Sequence, residues 1–121
     1  MFDHIGIRVN DLDASIRFYS AALGPLGLEL CTRDESSAGF GPPGAPALWL
    51  YLQRGARGVV HVALSARTRE SVERFHRAGV AAGARDHGAP GVRSDYHANY
   101  YAAFLLDPDG NNVEAVCTAE G

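Results

Sequence analysis

The chain has 121 residues, 46% hydrophobic and 21% charged, which is typical of one globular domain with its own core. Fourteen acidic and eleven basic residues give a net charge of -3, and the scattered basic residues argue against a nucleic-acid or membrane-surface partner. Because residues 1–4 lack the features of a signal peptide and no long apolar run follows, we expect a cytoplasmic protein whose residues 1–121 form a single domain.

The first half of the chain predicts a strand, a helix and two further strands. Apolar residues at every second position up to Val9 indicate a strand with one buried face. A helix capped by Asn10 or Asp11 follows and ends at Gly24-Pro25, since apolar residues recur at intervals of three and four. Glycines and prolines from Ser36 to Pro46 indicate a mobile loop at the mouth of a cavity, with at most a very short strand. The predicted strands of this half are 2–9, 26–32 and 47–53.

The second half predicts the same order of elements. Thr68 caps a helix that ends near Gly83, and only a weak strand pattern follows at 84–87. Asp107-Pro108-Asp109-Gly110 predicts a turn, because proline presets φ at the second position and glycine tolerates the exit. The other predicted strands are 59–66, 100–106 and 112–118.

An internal repeat appears when the chain is shifted by 57 residues. His4 then falls on His61, and Arg17-Phe18 falls on Arg74-Phe75. Chance similarity between two strand–helix segments is the alternative, and it accounts less well for the paired histidines. The pattern predicts an α+β fold of two βαβββ units, about 1–56 and 57–121. Each helix would cover one face of its sheet and leave the other face to line a cavity.

Three potential metal ligands fall on that second face. His4 and His61 are in the register opposite the helix-facing apolar residues, and Glu114 is an acid within an otherwise apolar strand. A single histidine is more often a hydrogen-bonded core residue, and a single glutamate at such a position often faces water. Together, two histidines and a carboxylate are the ligand set of a divalent metal site with open positions.

The segments FDHIGIRVNDLDASIRFYSAALG and FLLDPDGNNVEAV resemble the vicinal oxygen chelate superfamily, which includes glyoxalase I, extradiol dioxygenases, fosfomycin-resistance transferases and bleomycin-binding proteins. The resemblance implies a U-shaped mixed sheet around one divalent metal ion (Zn, Ni, Mn, Co or Fe). It carries ligand roles onto His4, His61 and Glu114. It also implies a homodimer, sometimes with exchanged units, although each chain holds both units and in principle completes its own site.

The chain departs from particular members of that superfamily. Trp49 stands where glyoxalase I enzymes place a fourth, glutamate ligand, and tryptophan cannot ligate a metal. His97 matches a histidine of the ring-cleaving dioxygenases, but Phe104 stands where they have a tyrosine. Tyr100 on the same strand face is the residue that would replace the missing hydroxyl. Gly6 replaces a threonine that is typical of the fosfomycin-resistance enzymes.

These observations favour a divalent-metal-dependent lyase or isomerase, acting on a small oxygen-rich substrate chelated through vicinal oxygens. The alternatives are an extradiol-type dioxygenase and a non-catalytic binding protein of the antibiotic-resistance type. We assign proton transfer to His97 and Tyr100. Arg8 is the expected partner of an anionic substrate oxygen. The substrate-binding residues are Arg8, Trp49, Tyr51 and Phe104.

Overall fold

A computed structural model describes residues 1–120 and contains two βαβββ units, which confirms the predicted α+β class. The first unit consists of β1 (Ile5–Val9), α1 (Leu12–Leu23), β2 (Glu29–Arg33), β3 (Ser37–Gly41) and β4 (Leu48–Leu52), with a short 3-10 turn at Gly24–Leu26. The second unit consists of β5 (His61–Ser65), α2 (Arg69–Ala81), β6 (Arg85–Val92), β7 (Tyr101–Leu106) and β8 (Asn112–Cys117). No helix in the described part of the chain has the length and apolar character needed to cross a membrane.

The two sheets have the same topology. Their strand orders are β1-β4-β3-β2 and β5-β8-β7-β6, and in each the first strand runs parallel to the last while the other pairs are antiparallel. This equivalence confirms the internal repeat. β1 and β5 are edge strands of separate sheets, so the expected U shape is not closed within one chain.

The core lies between the helices and the inner faces of the sheets. Phe18 and Phe75, which the 57-residue shift aligns, are both buried, and α1 packs directly against α2. Ala22 and Gly79 are likewise equivalent, and both are buried at this contact. A Cβ on Gly79 would lie 2.3 Å from Leu105 Cδ1, so the absence of a side chain lets α2 approach its sheet closely.

Two segments contain more strand than the sequence predicted. The stretch Ser36 to Pro46 was predicted to be a loop with at most a very short strand near Phe40. Its first part forms the five-residue strand β3, which pairs with both β2 and β4 and buries Phe40, and residues 42–46 lie outside any strand. The glycines in this stretch indicated a loop. Gly39 nevertheless lies in a strand, where a glycine is needed because the Trp49 ring occupies the space above it. β6 is also longer than the weak pattern indicated. It accommodates Pro90 because it is an irregular edge strand.

The turn between β7 and β8 ties the two units together. Asp107 is buried and accepts hydrogen bonds from the Tyr19 hydroxyl on α1 at 2.6 Å and from the backbone N–H groups of Asp109 and Asn111. Asp109 in turn accepts from the backbone N–H of Asn10 at 3.0 Å. The predicted turn is therefore present, and it contacts the start of the first unit.

Candidate functional site

The outer face of the second sheet carries the polar residues that the sequence singled out. Glu114 lies opposite Phe104 on β7 and Ala63 on β5, so these side chains point away from α2. His61 belongs to the same face, one pair further along β5. The buried partners Val62 and Val113 point the other way, as the alternation of the sequence predicted.

Glu114 is the centre of this face. Its side chain is only 2% exposed, and its Oε1 lies 2.8 Å from Nε2 of the half-exposed His61. Its Oε2 accepts a hydrogen bond of 2.5 Å from the Tyr100 hydroxyl. The hydrogen bond to the carboxylate, together with desolvation, raises the pKa of Tyr100 to about 12. Tyr100 therefore remains a proton donor to Glu114 at neutral pH.

Two aromatic rings pack against the Tyr100 ring. The rings of Tyr96 and His97 meet the Tyr100 ring edge-on at centroid distances of 4.7 and 5.6 Å. His97 Nδ1 accepts a hydrogen bond from the backbone N–H of Asn99 at 3.1 Å, so the neutral imidazole carries its proton on Nε2. The Phe104 ring lies 6.3 Å from the His61 ring. The structure thus brings together four of the predicted site residues on one sheet: His61, Glu114, Tyr100 and Phe104, with His97 beside them.

Arg93 also lies on this face, and the sequence analysis missed it. Its guanidinium carbon is 5.4 Å from the centroid of the Phe104 ring, and its backbone N–H donates to the Tyr100 carbonyl. The signal that was available is the spacing of Gly88, Gly91 and Arg93, because the two glycines leave space beside β6 for the arginine side chain. Because β6 was predicted to end at residue 87, this spacing was not placed on a strand.

The outer face of the first sheet holds the other predicted substrate residues. Trp49 and Tyr51 are stacked at a centroid distance of 6.4 Å and an interplanar angle of 11°. Their rings lie over Gly39 and Gly6, where any Cβ would meet them at 3.0 and 2.7 Å. Arg8 is exposed and is paired with Tyr51 in the sheet register.

His4 lies at the end of this first face and apart from the other two potential ligands. Its Nδ1 is 2.7 Å from Asp3 Oδ1, and it borders an apolar cleft of about 240 Å³ between the units. Residues 1–120 contain no group of three or more His, Cys, Asp or Glu side chains placed to share a metal ion. One chain therefore does not complete the three-ligand site by itself, because His4 precedes β1 while His61 and Glu114 belong to the other sheet.

The chemistry of the donors fits part of a metal site. An imidazole nitrogen and a carboxylate oxygen 2.8 Å apart are two donors of the kind that first-row divalent metals bind. Glu114 receives both of its side-chain hydrogen bonds from side chains on the outer face and none from the backbone, and of these partners His61 is half exposed. If His4, His61 and Glu114 are the ligands, the third donor would have to come from outside the single chain.

Comparison with known proteins agrees with the fold and the motifs. The family model described as the glyoxalase/bleomycin resistance protein/dioxygenase superfamily matches residues 1–115. A glyoxalase/bleomycin resistance protein from Albidiferax ferrireducens T118 is 32% identical, with a TM-score of 0.84 over 98% of this chain and 99% of that chain. No curated protein sequence matches.

Two further structures are more distant. A glyoxalase I mutant from Zea mays is 25% identical with a TM-score of 0.75, and the match covers 95% of this chain but 46% of that one. A family enzyme from Burkholderia phytofirmans PsJN shares the fold at 21% identity and a TM-score of 0.75, over 97% of this chain and 98% of that chain. With its repeated βαβββ units and its near-complete match to the family model, the chain belongs to the glyoxalase/bleomycin resistance protein/dioxygenase superfamily.

Proposed function

We propose that this protein is a divalent-metal-dependent enzyme of the lyase or isomerase type, acting on a small oxygen-rich substrate. The observation that carries the proposal is the buried Glu114 carboxylate, held between an exposed imidazole and a tyrosine hydroxyl on an open sheet face. A carboxylate is removed from water at considerable cost, and a purely structural one is usually surrounded by backbone donors. The hydrogen-bond partners of Glu114 are side chains instead. Its carboxylate could therefore exchange one of them for a metal ion, as a metal ligand must.

The proposed site is shared between two copies of the chain. His61 and Glu114 of one copy would hold the metal together with His4 of the second copy. Two features support this arrangement: His4 is exposed beside an apolar cleft, and β1 and β5 are both edge strands whose outer backbone groups are available for contact. A homodimer is therefore part of the proposal.

The chain's own residues supply binding and proton transfer. When bound, the metal ion would act as a Lewis acid toward two vicinal oxygens of the substrate. Tyr100 holds a proton at its hydroxyl against Glu114, and His97 presents a protonated Nε2 in its neutral form. The proposed contact surface comprises Phe104 on the second sheet and, from the other copy, Arg8, Trp49 and Tyr51.

Metal content tests this proposal directly. Protein purified and reloaded with Zn, Ni, Mn, Co or Fe(II) should contain about one ion per chain. His4→Ala, His61→Ala and Glu114→Gln should each lose it. His76→Ala is the matched control, because His76 forms a similar pair with Asp86 at 2.9 Å outside the site. A metal content that none of the three substitutions changes would refute the proposed ligands.

Mixing two inactive variants tests whether the site is shared. His4→Ala protein and a His61→Ala/Glu114→Gln double variant each lack an intact site. After equal amounts are mixed and allowed to exchange, about a quarter of the wild-type metal content should return, because half of the dimers are mixed and each holds one intact site. No recovery, together with metal binding by monomeric wild-type protein, would show that the ligands act within one chain.

A ring-cleaving dioxygenase is the second candidate, and Tyr100 favours it. Phe104 lacks the hydroxyl that ring-cleaving dioxygenases have at this position. The Tyr100 hydroxyl, however, donates a hydrogen bond to Glu114 on the same face. Oxygen consumption by the Fe(II)-loaded protein with catechol, abolished by Glu114→Ala, would establish this activity. Turnover of an oxygen-rich substrate by Zn-loaded protein without oxygen would support the lyase or isomerase.

A further inference from the structure

The second sheet holds one arginine in a fixed position beside the proposed metal site. Arg93 follows β6, and its side chain runs back along the outer face of that strand. Its Nη1 donates to the Gly91 carbonyl at 2.9 Å, and its Nη2 donates to the Ala89 carbonyl at 2.7 Å. The guanidinium carbon lies over the Phe104 ring, 5.4 Å from the ring centroid.

Glycine provides the space that the guanidinium occupies. A Cβ on Gly88 would lie 3.2 Å from Arg93 Nη2, and a Cβ on Gly91 would lie 3.1 Å from Arg93 Nη1. Side chains at these two positions would therefore compete with the arginine for the same part of the sheet face. The guanidinium is preorganised by four neighbours: two carbonyls, one ring and the surface left by two glycines.

The positive charge of Arg93 is not neutralised within residues 1–120. It forms no ion pair with any acidic side chain there, and two of its five N–H groups account for its side-chain hydrogen bonds. The remaining N–H groups are available to a ligand. The Arg93 side chain is half-buried, and its guanidinium is held by two carbonyl groups and one aromatic ring.

Its location connects it to the site. The backbone N–H of Arg93 donates to the Tyr100 carbonyl at 2.7 Å, so both side chains project from the same face of the sheet. Phe104, on which the guanidinium rests, is the direct cross-strand neighbour of Glu114. A ligand that reaches Glu114 across Phe104 would therefore meet Arg93.

We propose that Arg93 is a substrate-positioning residue that binds the carboxylate of an anionic substrate. The inference rests on the proposed function and narrows it: the substrate carries a carboxylate in addition to the two vicinal oxygens. A carboxylate is planar and matches the fork of the guanidinium N–H groups, so it accepts charge-assisted hydrogen bonds from them.

Two probes that differ only in a carboxylate test the inference. Catechol and 3,4-dihydroxybenzoate both present vicinal oxygens, and zinc is used because it is redox-inactive, so the Zn-loaded protein should bind them without oxidising them. Calorimetric titration should give at least about tenfold tighter binding of 3,4-dihydroxybenzoate. Arg93→Gln should remove most of that difference and leave catechol binding unchanged, and Arg93→Lys should restore part of it. Arg33→Gln, an exposed arginine paired with Asp13 on the first unit, is the control and should behave as wild type.

The outcomes separate the inference from the proposed function. If the wild-type protein does not bind zinc, the proposed metal site is refuted. If it binds zinc but has equal affinity for the two probes, the proposed role of Arg93 is refuted. A parallel decrease for both probes in Arg93→Gln would indicate a structural role and would also refute it.

A second measurement is independent of the metal and of variant folding. The Arg93 side-chain N–H resonances of wild-type protein should shift on titration with benzoate and not with benzyl alcohol. Equal responses, or none, would overturn the inference.

Discussion

At the scale of single residues, two buried carboxylates show how partners distinguish a structural acid from a functional one. Asp107 accepts hydrogen bonds from two backbone N–H groups, the Asn111 amide and the Tyr19 hydroxyl, so its surroundings are fixed by the turn itself. Glu114 has only His61 and Tyr100, both on the open face. Each carboxylate accepts a hydrogen bond from a tyrosine hydroxyl. Only Glu114 can exchange a partner without breaking a hydrogen bond to the backbone, because it has no backbone donor.

Replacement of Tyr100 by phenylalanine should leave one oxygen of buried Glu114 without a donor. We expect the free energy of unfolding of the metal-free protein to fall by about 1–2 kcal/mol, measured by urea denaturation. Tyr96→Phe is the control, because that side chain is 63% exposed and its hydroxyl forms no hydrogen bond within residues 1–120. Equal effects of the two substitutions would contradict the geometry at Glu114.

The Tyr19 hydroxyl should make the protein sensitive to alkaline pH. Burial, and then the charge of Asp107, raise the pKa of Tyr19 well above its ordinary value of 10.0. The folded state therefore keeps a proton that the unfolded chain releases. Its contribution to stability is complete below about pH 10 and is lost as the pH rises further. Urea denaturation between about pH 8 and pH 11 should show a decline that is shallower in Tyr19→Phe, and an unchanged slope would argue against this role.

At the scale of secondary-structure elements, the contact between the helices depends on side-chain size more than on polarity. α2 carries Phe75 and Gly79 toward the core, and α1 carries Phe18 and Ala22 at the equivalent positions. Gly79 is unfavourable for a helix by roughly 1 kcal/mol relative to alanine. Its position against Leu105 and Phe18 explains why a glycine is nonetheless suitable there.

Gly79→Ala should therefore destabilise the protein although alanine favours helix formation. The new Cβ would lie 2.3 Å from Leu105 Cδ1 and 3.4 Å from Phe18 Cε1, and we expect a net loss of about 1–3 kcal/mol in thermal or urea unfolding. Adding Leu105→Val, which removes the atom in conflict, should make the double variant less unstable than the sum of the single changes. A stabilised Gly79→Ala variant would mean that the helix shifts at little cost.

At the scale of the whole molecule, the two sheets present their polar faces outward, and the helices occupy the space between the units. This arrangement places His61 and Glu114 on one surface and Arg8, Trp49 and Tyr51 on another. Both faces are open in the single chain. In the proposed homodimer, a second copy would enclose both faces and complete each metal site with the ligand that the single chain lacks.

Sedimentation should therefore give a mass about twice the 12.9 kDa of the chain at micromolar concentration with metal present. Because a shared ligand links metal binding to association, a chelator should lower the melting temperature and shift the mass toward that of the single chain. Glu114→Gln should weaken this response, whereas His76→Ala should preserve it. A single-chain mass in the presence of bound metal would contradict the dimer.

The amino-acid sequence by itself determined the repeated unit, the helix cap at Thr68 and the outward register of His61 and Glu114, and it narrowed the cap of the first helix to Asn10 or Asp11, of which the structure has Asp11. These features depend on local periodicity and on nearby residues, which a single sequence contains. Only the tertiary structure decided that β3 is a five-residue strand paired on both sides, that Arg93 lies over Phe104, and that His4 does not share a three-ligand group with His61 and Glu114. Each of these depends on pairing or packing between separate elements: Gly39 lies beneath the Trp49 ring of the next strand, Arg93 lies against the Phe104 ring of the next strand, and α1 packs against α2 between the two units.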